Sequence, residues 1–156
     1  MTDLTEGTLA PDFQLAGATG PLTLADFKGK ALVLYFYPKD DTSGCTKEAQ
    51  AFTALATDFA KAGASVVGVS KDTVASHAKF TAKYELGVAL GSDPEGEVIE
   101  RYRSWVEKNM YGRKYMGIER STFLIGADGK LARIWRKVKV PGHAEDVLRA
   151  VQGLGA

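Results

Sequence analysis

The strongest hydrophobic segment of the chain is the run Ala-Leu-Val-Leu-Tyr-Phe-Tyr at residues 31–37, which ends at Pro38. An unbroken apolar run is typical of a central strand that is covered on both faces of its sheet. Proline cannot donate a ladder hydrogen bond, so Pro38 marks the end of the strand. We therefore expect a buried strand followed by a loop that begins at Pro38.

A helical pattern follows this loop. Apolar residues recur at every third or fourth position between Thr46 and Ala62, and Gly63 stands where a left-handed residue often ends a helix. The pattern predicts one helix over 46–62. It also places the end of the loop, including Cys45, at the entry of that helix.

The order of strand and helix then repeats. The β-branched residues of 65–70 predict a strand, about 73–85 reads as a helix, and 88–90 as a short strand. The residues of this helix that should face inward are Val74, Ala78 and Tyr84. Alternation of this kind predicts a mostly parallel sheet with right-handed crossovers.

Further strands are expected at both ends of the chain. Asp128-Gly129 separates two apolar segments, 122–126 and 131–138, and is a strong hairpin signal. A smaller hairpin or irregular edge is expected over 13–24, and a last helix over 141–154. Residues 104–119 show no clear period, and a stretch of this length more often indicates function than a simple connection. Residues 101–111 mix basic and aromatic side chains and are interpreted as a loop that packs its aromatic side chains over the core.

These elements define an α/β fold with a central mixed β-sheet flanked by helices. The chain has 156 residues and ordinary globular composition, which favours a single domain over 1–156. The formal net charge of +1 is too small for backbone-driven nucleic-acid binding. No apolar run is long enough to span a membrane, and the first residues lack a signal-peptide pattern, so we expect a cytoplasmic protein.

Cys45 is the single cysteine, so an intrachain disulfide and a multi-thiolate zinc site are excluded. At the entry of a helix, a thiol meets free backbone N–H groups and the positive end of the helix dipole, which both favour the thiolate. The alternative is an inert, buried cysteine. The surrounding Pro38, Thr42 and Gly44 make a polar, turn-rich entry that favours a reactive thiol.

The motif Pro38-x-x-x-Thr42-x-x-Cys45 resembles the active-site motif of the peroxiredoxins. The neighbouring residues 35–42 and 45–49, and the segment 111–125, are similar to the bacterioferritin-comigratory-protein or PrxQ branch. The resemblance covers most of the chain. It implies a thioredoxin-like fold and a thiol peroxidase that needs no metal, flavin or haem.

The resemblance also implies roles for individual residues. Cys45 would attack the peroxide, Thr42 and Arg120 would hold the two peroxide oxygens, and Pro38 would limit solvent access. A guanidinium at Arg120 could donate several hydrogen bonds without losing its charge, although a solvated arginine at a strand start is the plain alternative. Glu48 is either a partner of Arg120 or a carboxylate that favours the helix start.

Many members of the branch carry a second, resolving cysteine five residues after the first, where this chain has Gln50. The expected cycle therefore stops at a Cys45 sulfenic acid. An external thiol such as thioredoxin, glutaredoxin or glutathione would reduce it, and the chain would act as a monomer or weak homodimer. The rival hypothesis is a non-enzymatic thioredoxin-like redox sensor or chaperone-type binding module.

The remaining candidates for chemistry are weak. His77 and His143 are the only histidines, they lie far apart in the sequence, and no metal-ligand spacing surrounds them. We expect them to serve surface or capping roles. No metal site is predicted.

Overall fold

The structure is a computed structural model that describes residues 4–154; the first three and last two residues of the expected domain lie outside the described residues. The strands are β1 (Gln14–Gly17), β2 (Gly20–Thr23), β3 (Ala31–Phe36), β4 (Ala64–Ser70), β5 (Ala89–Ser92), β6 (Trp105–Met110), β7 (Arg113–Ile118), β8 (Ser121–Ile125) and β9 (Leu131–Trp135). The helices are α1 (Ser43–Ala54), α2 (Ala56–Lys61), α3 (Val74–Tyr84), α4 (Glu97–Arg101) and α5 (His143–Leu154).

Within residues 4–154, seven strands form one sheet in the order β2-β1-β5-β4-β3-β8-β9. Strands β3, β4 and β5 are parallel, and the other neighbours are antiparallel. The mixed sheet flanked by helices is confirmed. Parallel pairing is less extensive than the alternation of strands and helices predicts, because antiparallel strands extend the sheet on both sides.

Strand β3 lies inside the sheet and is buried on both faces, as its sequence predicts. Val33, Tyr35 and Tyr37 point into one core, which also contains buried residues of α1, α2, α3 and α5. The alternate residues of β3, which are Leu32, Leu34 and Phe36, point into a second core on the opposite face. The buried strand therefore fixes the position from which the loop at Pro38 leaves the sheet.

The helix expected over 46–62 is two helices. It begins at Ser43, breaks at Leu55 (φ −102°, ψ 7°) and resumes as α2. Gly63 follows with φ +81°, the left-handed conformation that its position suggested. The apolar spacing continues across the break because both helices pack on the same core, so the sequence pattern did not reveal it.

Residues 105–118, interpreted as a loop, form an antiparallel hairpin of β6 and β7 outside the main sheet. The expectation that the aromatics of 101–111 pack over the core is wrong for Tyr111, which is exposed. It is confirmed for Tyr102, which is buried in the second core, and for Trp105, which packs against that core. The hairpin shows little hydrophobic alternation because most of it contacts solvent on both faces.

Two expectations about buried positions are also wrong. Ala78 is exposed on α3, and the inward residues of this helix are His77 and Phe80. Both histidines are buried rather than on the surface. The predicted stripe of the last helix holds for Ala144, Val147 and Val151, and Leu148 packs beside them. Residues 4–154 contain no helix that is long and apolar enough to cross a membrane.

Candidate active site

The loop after β3 delivers Cys45 to the third position of α1. Thr42 is the N-terminal cap residue of that helix, with extended backbone angles (φ −96°, ψ 158°). Cys45 is buried, with only 2% of its surface exposed, and it belongs to the same core cluster as Tyr35 and Phe52. The thiol thus lies in the first turn of a helix, where backbone N–H groups have no partner within the helix.

Strand pairing brings Arg120 to this loop. Strands β3 and β8 run antiparallel, and Phe36 at the end of β3 pairs with Ser121 at the start of β8. Arg120 immediately precedes Ser121, so the register places it beside the start of the loop that leads to Cys45. The contact spans 75 positions in the sequence.

Arg120 links the thiol to a carboxylate. Its Nη2 donates a hydrogen bond to Cys45 Sγ at 3.3 Å, and its Nη1 donates to Glu48 Oε1 at 2.7 Å. A Cβ at Gly44 would lie 3.2 Å from Nη2, so the missing side chain gives the guanidinium room. The structure brings together Cys45, Arg120 and Glu48 through direct contacts.

Burial dominates the electrostatics of Glu48. The residue is 1% exposed, and within the described residues its Oε2 atom has no hydrogen-bond partner. Desolvation raises the pKa of Glu48 to about 7, and the charge and hydrogen bond of Arg120 only partly offset this rise. Of the two interpretations of Glu48, the structure therefore favours the partner of Arg120.

Arg120 itself keeps its charge in this setting. Burial opposes the charged form, but the charges of Glu48 and Cys45 outweigh it and raise the pKa of Arg120. The guanidinium side chain is 18% exposed, so one side of it still reaches the surface. A fixed positive charge therefore lies against the sulfur at every pH of biological interest.

Thr42 and Pro38 lie on the same loop, but their contacts differ from those of the other three residues. The Thr42 hydroxyl donates to the Lys39 carbonyl oxygen at 2.9 Å and does not cap the helix. Its oxygen therefore keeps lone pairs for a further donor. Pro38 is half-buried where the chain leaves the sheet.

Sequence reasoning missed two residues near this site. Lys108, on β6, is half-buried; burial lowers its pKa and the charge of Arg120 lowers it further. Tyr35 has a fully buried hydroxyl that lacks a partner within residues 4–154, and burial and the charges of Glu48 and Cys45 raise its pKa. In the sequence, only the lack of periodicity in 104–119 pointed to the segment that contains Lys108. Tyr35 could not be distinguished from its apolar neighbours in the run 31–37.

One group of side chains in residues 4–154 has metal-ligand chemistry. Atoms of Asp40, Asp72 and His77 lie within 4.8 Å of one another. Asp40 and His77 contact each other directly, and Asp72 accepts from the Asp40 backbone N–H and from the Ser70 hydroxyl. The three side chains therefore belong to one hydrogen-bonded group.

Comparison with known proteins assigns the family. The model of the AhpC/TSA family matches residues 7–134. A Coxiella burnetii peroxiredoxin of the bcp type is 50% identical over 143 residues, which cover 91% of this chain and 95% of that protein. Peroxiredoxin Bcp of Bacillus subtilis is 45% identical over 149 residues, 95% of each chain.

Solved structures agree with this assignment. Xanthomonas campestris peroxiredoxin Q has a TM-score of 0.90 and 44% identity, and the match covers 97% of this chain and 99% of that one. The chain belongs to the AhpC/TSA family of peroxiredoxins. Within that family it is a thiol peroxidase of the Bcp or PrxQ type with a thioredoxin-like fold, and it has one cysteine. The resemblance drawn from the Cys45 motif is confirmed, and the rival, a non-enzymatic module, is not supported.

The raised pKa of Glu48 predicts a specific pH dependence of stability. The folded protein holds a proton on Glu48 between the ordinary pKa of 4.5 and about 7, whereas the unfolded chain does not. The stabilisation that this proton provides to the folded state is therefore complete below pH 4.5 and is lost as the pH rises through about 7. Glu48→Gln should remove this loss, so its stability relative to the parent should rise by roughly 1–3 kcal/mol between pH 5 and 8.

Urea unfolding at several pH values measures this difference. Glu107→Gln, on the exposed strand β6, is the matched control and should follow the parent at every pH. A difference between Glu48→Gln and the parent that stays constant with pH would contradict the assigned protonation.

Proposed function

We propose that this peroxiredoxin reduces hydrogen peroxide and organic hydroperoxides by a one-cysteine cycle in which Cys45 is the reacting thiol. The observation that carries the assignment is the 3.3 Å hydrogen bond from Arg120 to Cys45 Sγ, in the first turn of α1. Membership of the peroxiredoxin family gives the class of reaction, which is the reduction of a peroxide by a thiol. A Xanthomonas campestris relative is described by its alkyl peroxide reduction activity, which supports organic substrates for this chain as well.

In the first step, the Cys45 thiolate attacks the terminal oxygen of the hydroperoxide. An S–O bond forms and the O–O bond breaks, so sulfur is oxidised to the sulfenic acid and the peroxide leaves as an alkoxide. Protonation of this alkoxide gives the alcohol, or water when the substrate is hydrogen peroxide.

Three groups would stabilise this transition state. Arg120 can donate hydrogen bonds to both peroxide oxygens, and the Cys45 backbone N–H can donate to the attacked one. Thr42, whose hydroxyl hydrogen is bonded to the Lys39 carbonyl, offers its oxygen as the acceptor for the peroxide O–H. Pro38 would limit the water that enters. Glu48 would hold the second arm of the guanidinium in place.

The second half of the cycle needs a thiol from outside, because the chain has a single cysteine. One external thiol displaces water from the sulfenic acid to form a mixed disulfide, and a second thiol releases Cys45 as a disulfide between the two external sulfurs forms. The balance is two thiols and one hydroperoxide to one disulfide, one alcohol and one water. Thioredoxin, glutaredoxin and glutathione are the candidate reductants, in a reducing compartment such as the cytoplasm.

The burial of Cys45 bears on the oligomeric state. A sulfur in a residue that is 2% exposed cannot meet the same sulfur of a second copy without a local opening. We propose that the protein is a monomer or weak homodimer and that the closed first turn disfavours a disulfide between the Cys45 residues of two copies. Size-exclusion chromatography before and after peroxide treatment reports on this assignment.

Cys45→Ser should abolish peroxidase activity and leave the fold intact, because serine is nearly isosteric but far less nucleophilic. The measurement is peroxide consumption with each of the three reductant systems, alongside the thermal unfolding of both proteins. Residual turnover above a few per cent (about one part in fifty) by the folded variant would refute the role of Cys45. Oxidation of the parent once per chain, without turnover, would instead indicate a sensor.

Arg120→Met should slow the peroxide step by roughly 10² or more, because transition-state donors are lost. Arg120→Lys keeps the charge but loses the two-armed geometry, so an intermediate rate is expected. Arg149→Met, on the exposed face of α5, serves as the control. Stopped-flow measurement of Cys45 oxidation gives these rates, and an unchanged rate in Arg120→Met would remove this residue from the mechanism.

Gln50→Cys should convert the cycle to one with an internal disulfide. Gln50 is exposed on α1 five positions after Cys45, so the first turn must open before the two sulfurs meet. Helix ends fray at low cost, which makes this opening accessible. After peroxide, mass spectrometry should show an intrachain disulfide in the variant and a sulfenic acid, trapped by dimedone, in the parent.

The matched control is Gln14→Cys, on β1, which is separated from β3 by β5 and β4. It should behave as the parent. Recovery of only sulfenic or sulfinic Cys45 from oxidised Gln50→Cys would contradict the predicted opening of the first turn.

A further inference from the structure

A second buried polar cluster lies beside the loop that leads to Cys45. We call it the Asp40 cluster; its members are Tyr37, Asp40, Asp72, Ser76 and His77. The Asp40 carboxylate accepts hydrogen bonds from the Tyr37 hydroxyl at 2.6 Å, from the Ser76 hydroxyl at 2.8 Å and from His77 Nδ1 at 2.8 Å. His77 and Asp40 are 3% and 8% exposed, so this cluster is inside the protein.

His77 links two acceptors. Nδ1 faces the Asp40 carboxylate, and Nε2 faces the Gly91 carbonyl oxygen at 3.2 Å. The ring therefore connects Asp40 to strand β5. Burial opposes ionisation of Asp40, but the hydrogen bonds from His77, Tyr37 and Ser76 outweigh it and lower its pKa.

His143 provides the contrast within the same protein. Its Nε2 faces the Thr122 hydroxyl, which can donate to it. Burial lowers the pKa of His143 to about 4, so this ring is neutral at pH 7. The two buried histidines therefore differ in their contacts, because His77 meets the Asp40 carboxylate and His143 meets the Thr122 hydroxyl.

Contacts of Asp40 and Asp41 hold the loop between Pro38 and Thr42 in place. Its backbone N–H donates to Asp72 Oδ2 at 2.8 Å, and the next residue, Asp41, has the left-handed φ of 58°. The Asp41 carboxylate accepts from Lys83 and Tyr84 of α3 at the surface. Thr42, the next residue, is the N-cap residue of α1 but makes no side-chain cap hydrogen bond. Two attachments to α3, one buried and one exposed, therefore hold the turn from which Cys45 is presented.

We propose that the buried Asp40–His77 contact is a positioning element for the peroxide reaction, because it fixes the turn that holds Cys45 against Arg120. Neither residue touches the reacting sulfur in the described contacts. They act through the backbone between Asp40 and Cys45. The proposal rests on the proposed role of Cys45 and adds the residues that set its position.

Two substitutions at one position test this inference. His77→Gln can place an amide N–H near the position of Nε2 and keep the donor to Gly91, but it loses the bond to Asp40. His77→Asn places its N–H near Nδ1 and keeps the donor to Asp40. We expect His77→Gln to slow Cys45 oxidation by hydrogen peroxide about tenfold or more, since displacements near 1 Å carry such costs. His77→Asn should recover most of the rate.

A second reaction separates positioning from general damage. Alkylation of Cys45 by iodoacetamide needs a thiolate but not the peroxide geometry, so His77→Gln should change it by no more than about twofold. Lys79→Met changes an exposed residue of the same helix that is not part of the Asp40 cluster, and it should leave both rates near those of the parent. Equal losses of peroxide rate in His77→Gln and His77→Asn, or no loss in either, would overturn the proposal.

Two measurements remain decisive if His77→Gln does not fold. Ser76→Ala removes a single donor to Asp40 from a half-buried helix position and should lower the peroxide rate without changing alkylation; an unchanged peroxide rate counts against the proposal. Nitrogen NMR of the parent should show a proton on His77 Nδ1, donated to Asp40, and an Nδ1 without a proton would overturn the contact. Failure of the parent to react with peroxide would contradict the function instead.

Discussion

The whole site depends on a buried charge constraint. Arg120 carries a permanent positive charge into a region where Glu48 and Cys45 are both almost inaccessible to water. A buried cation is costly unless anionic or hydrogen-bonding partners surround it. Glu48 Oε1 and the Cys45 sulfur are those partners. The cost of burying Arg120 thus holds the guanidinium, the Glu48 side chain and the sulfur together.

The fold meets this constraint with elements that are buried in its two cores. Strands β3 and β8 are adjacent in the sheet, and their buried residues fill both cores. Arg120 directly precedes β8, and the loop at Pro38 follows β3. Both therefore lie at the same end of this antiparallel strand pair. Glu48 and Cys45 lie on one face of α1, which packs on the first core through Ala49 and Phe52. Only the loop between Pro38 and Thr42 lacks this support, and α3 holds it through Asp40 and Asp41.

The sequence revealed the parts of the molecule in which the pattern is local. The apolar run of β3, the Asp128-Gly129 turn and the stripe of α5 are each visible within a short window, and the structure contains them. The hairpin of β6 and β7 was missed because neither of its faces is mainly buried. The burial of His77 and His143 was missed because their partners, Asp40 and Thr122, are 37 and 21 positions away. The placement of Arg120 came from the family resemblance, since its physical cause is a strand register that no short window contains.

Because the chain has one cysteine, the same sulfur must react first with peroxide and then with an external thiol, and the loop contacts affect these two steps in opposite ways. Peroxide is small and requires only that Cys45 stay against Arg120, which the attachments to α3 promote. A thiol reductant, above all a protein, needs access to a sulfur whose residue is 2% exposed, so the first turn of α1 must open before reduction. Thr42 does not cap that turn with its side chain, so the contacts of Arg120 with Cys45 and Glu48 and those of Asp40 and Asp41 are what oppose the opening. The contacts that speed oxidation of Cys45 are therefore the same contacts that slow its reduction.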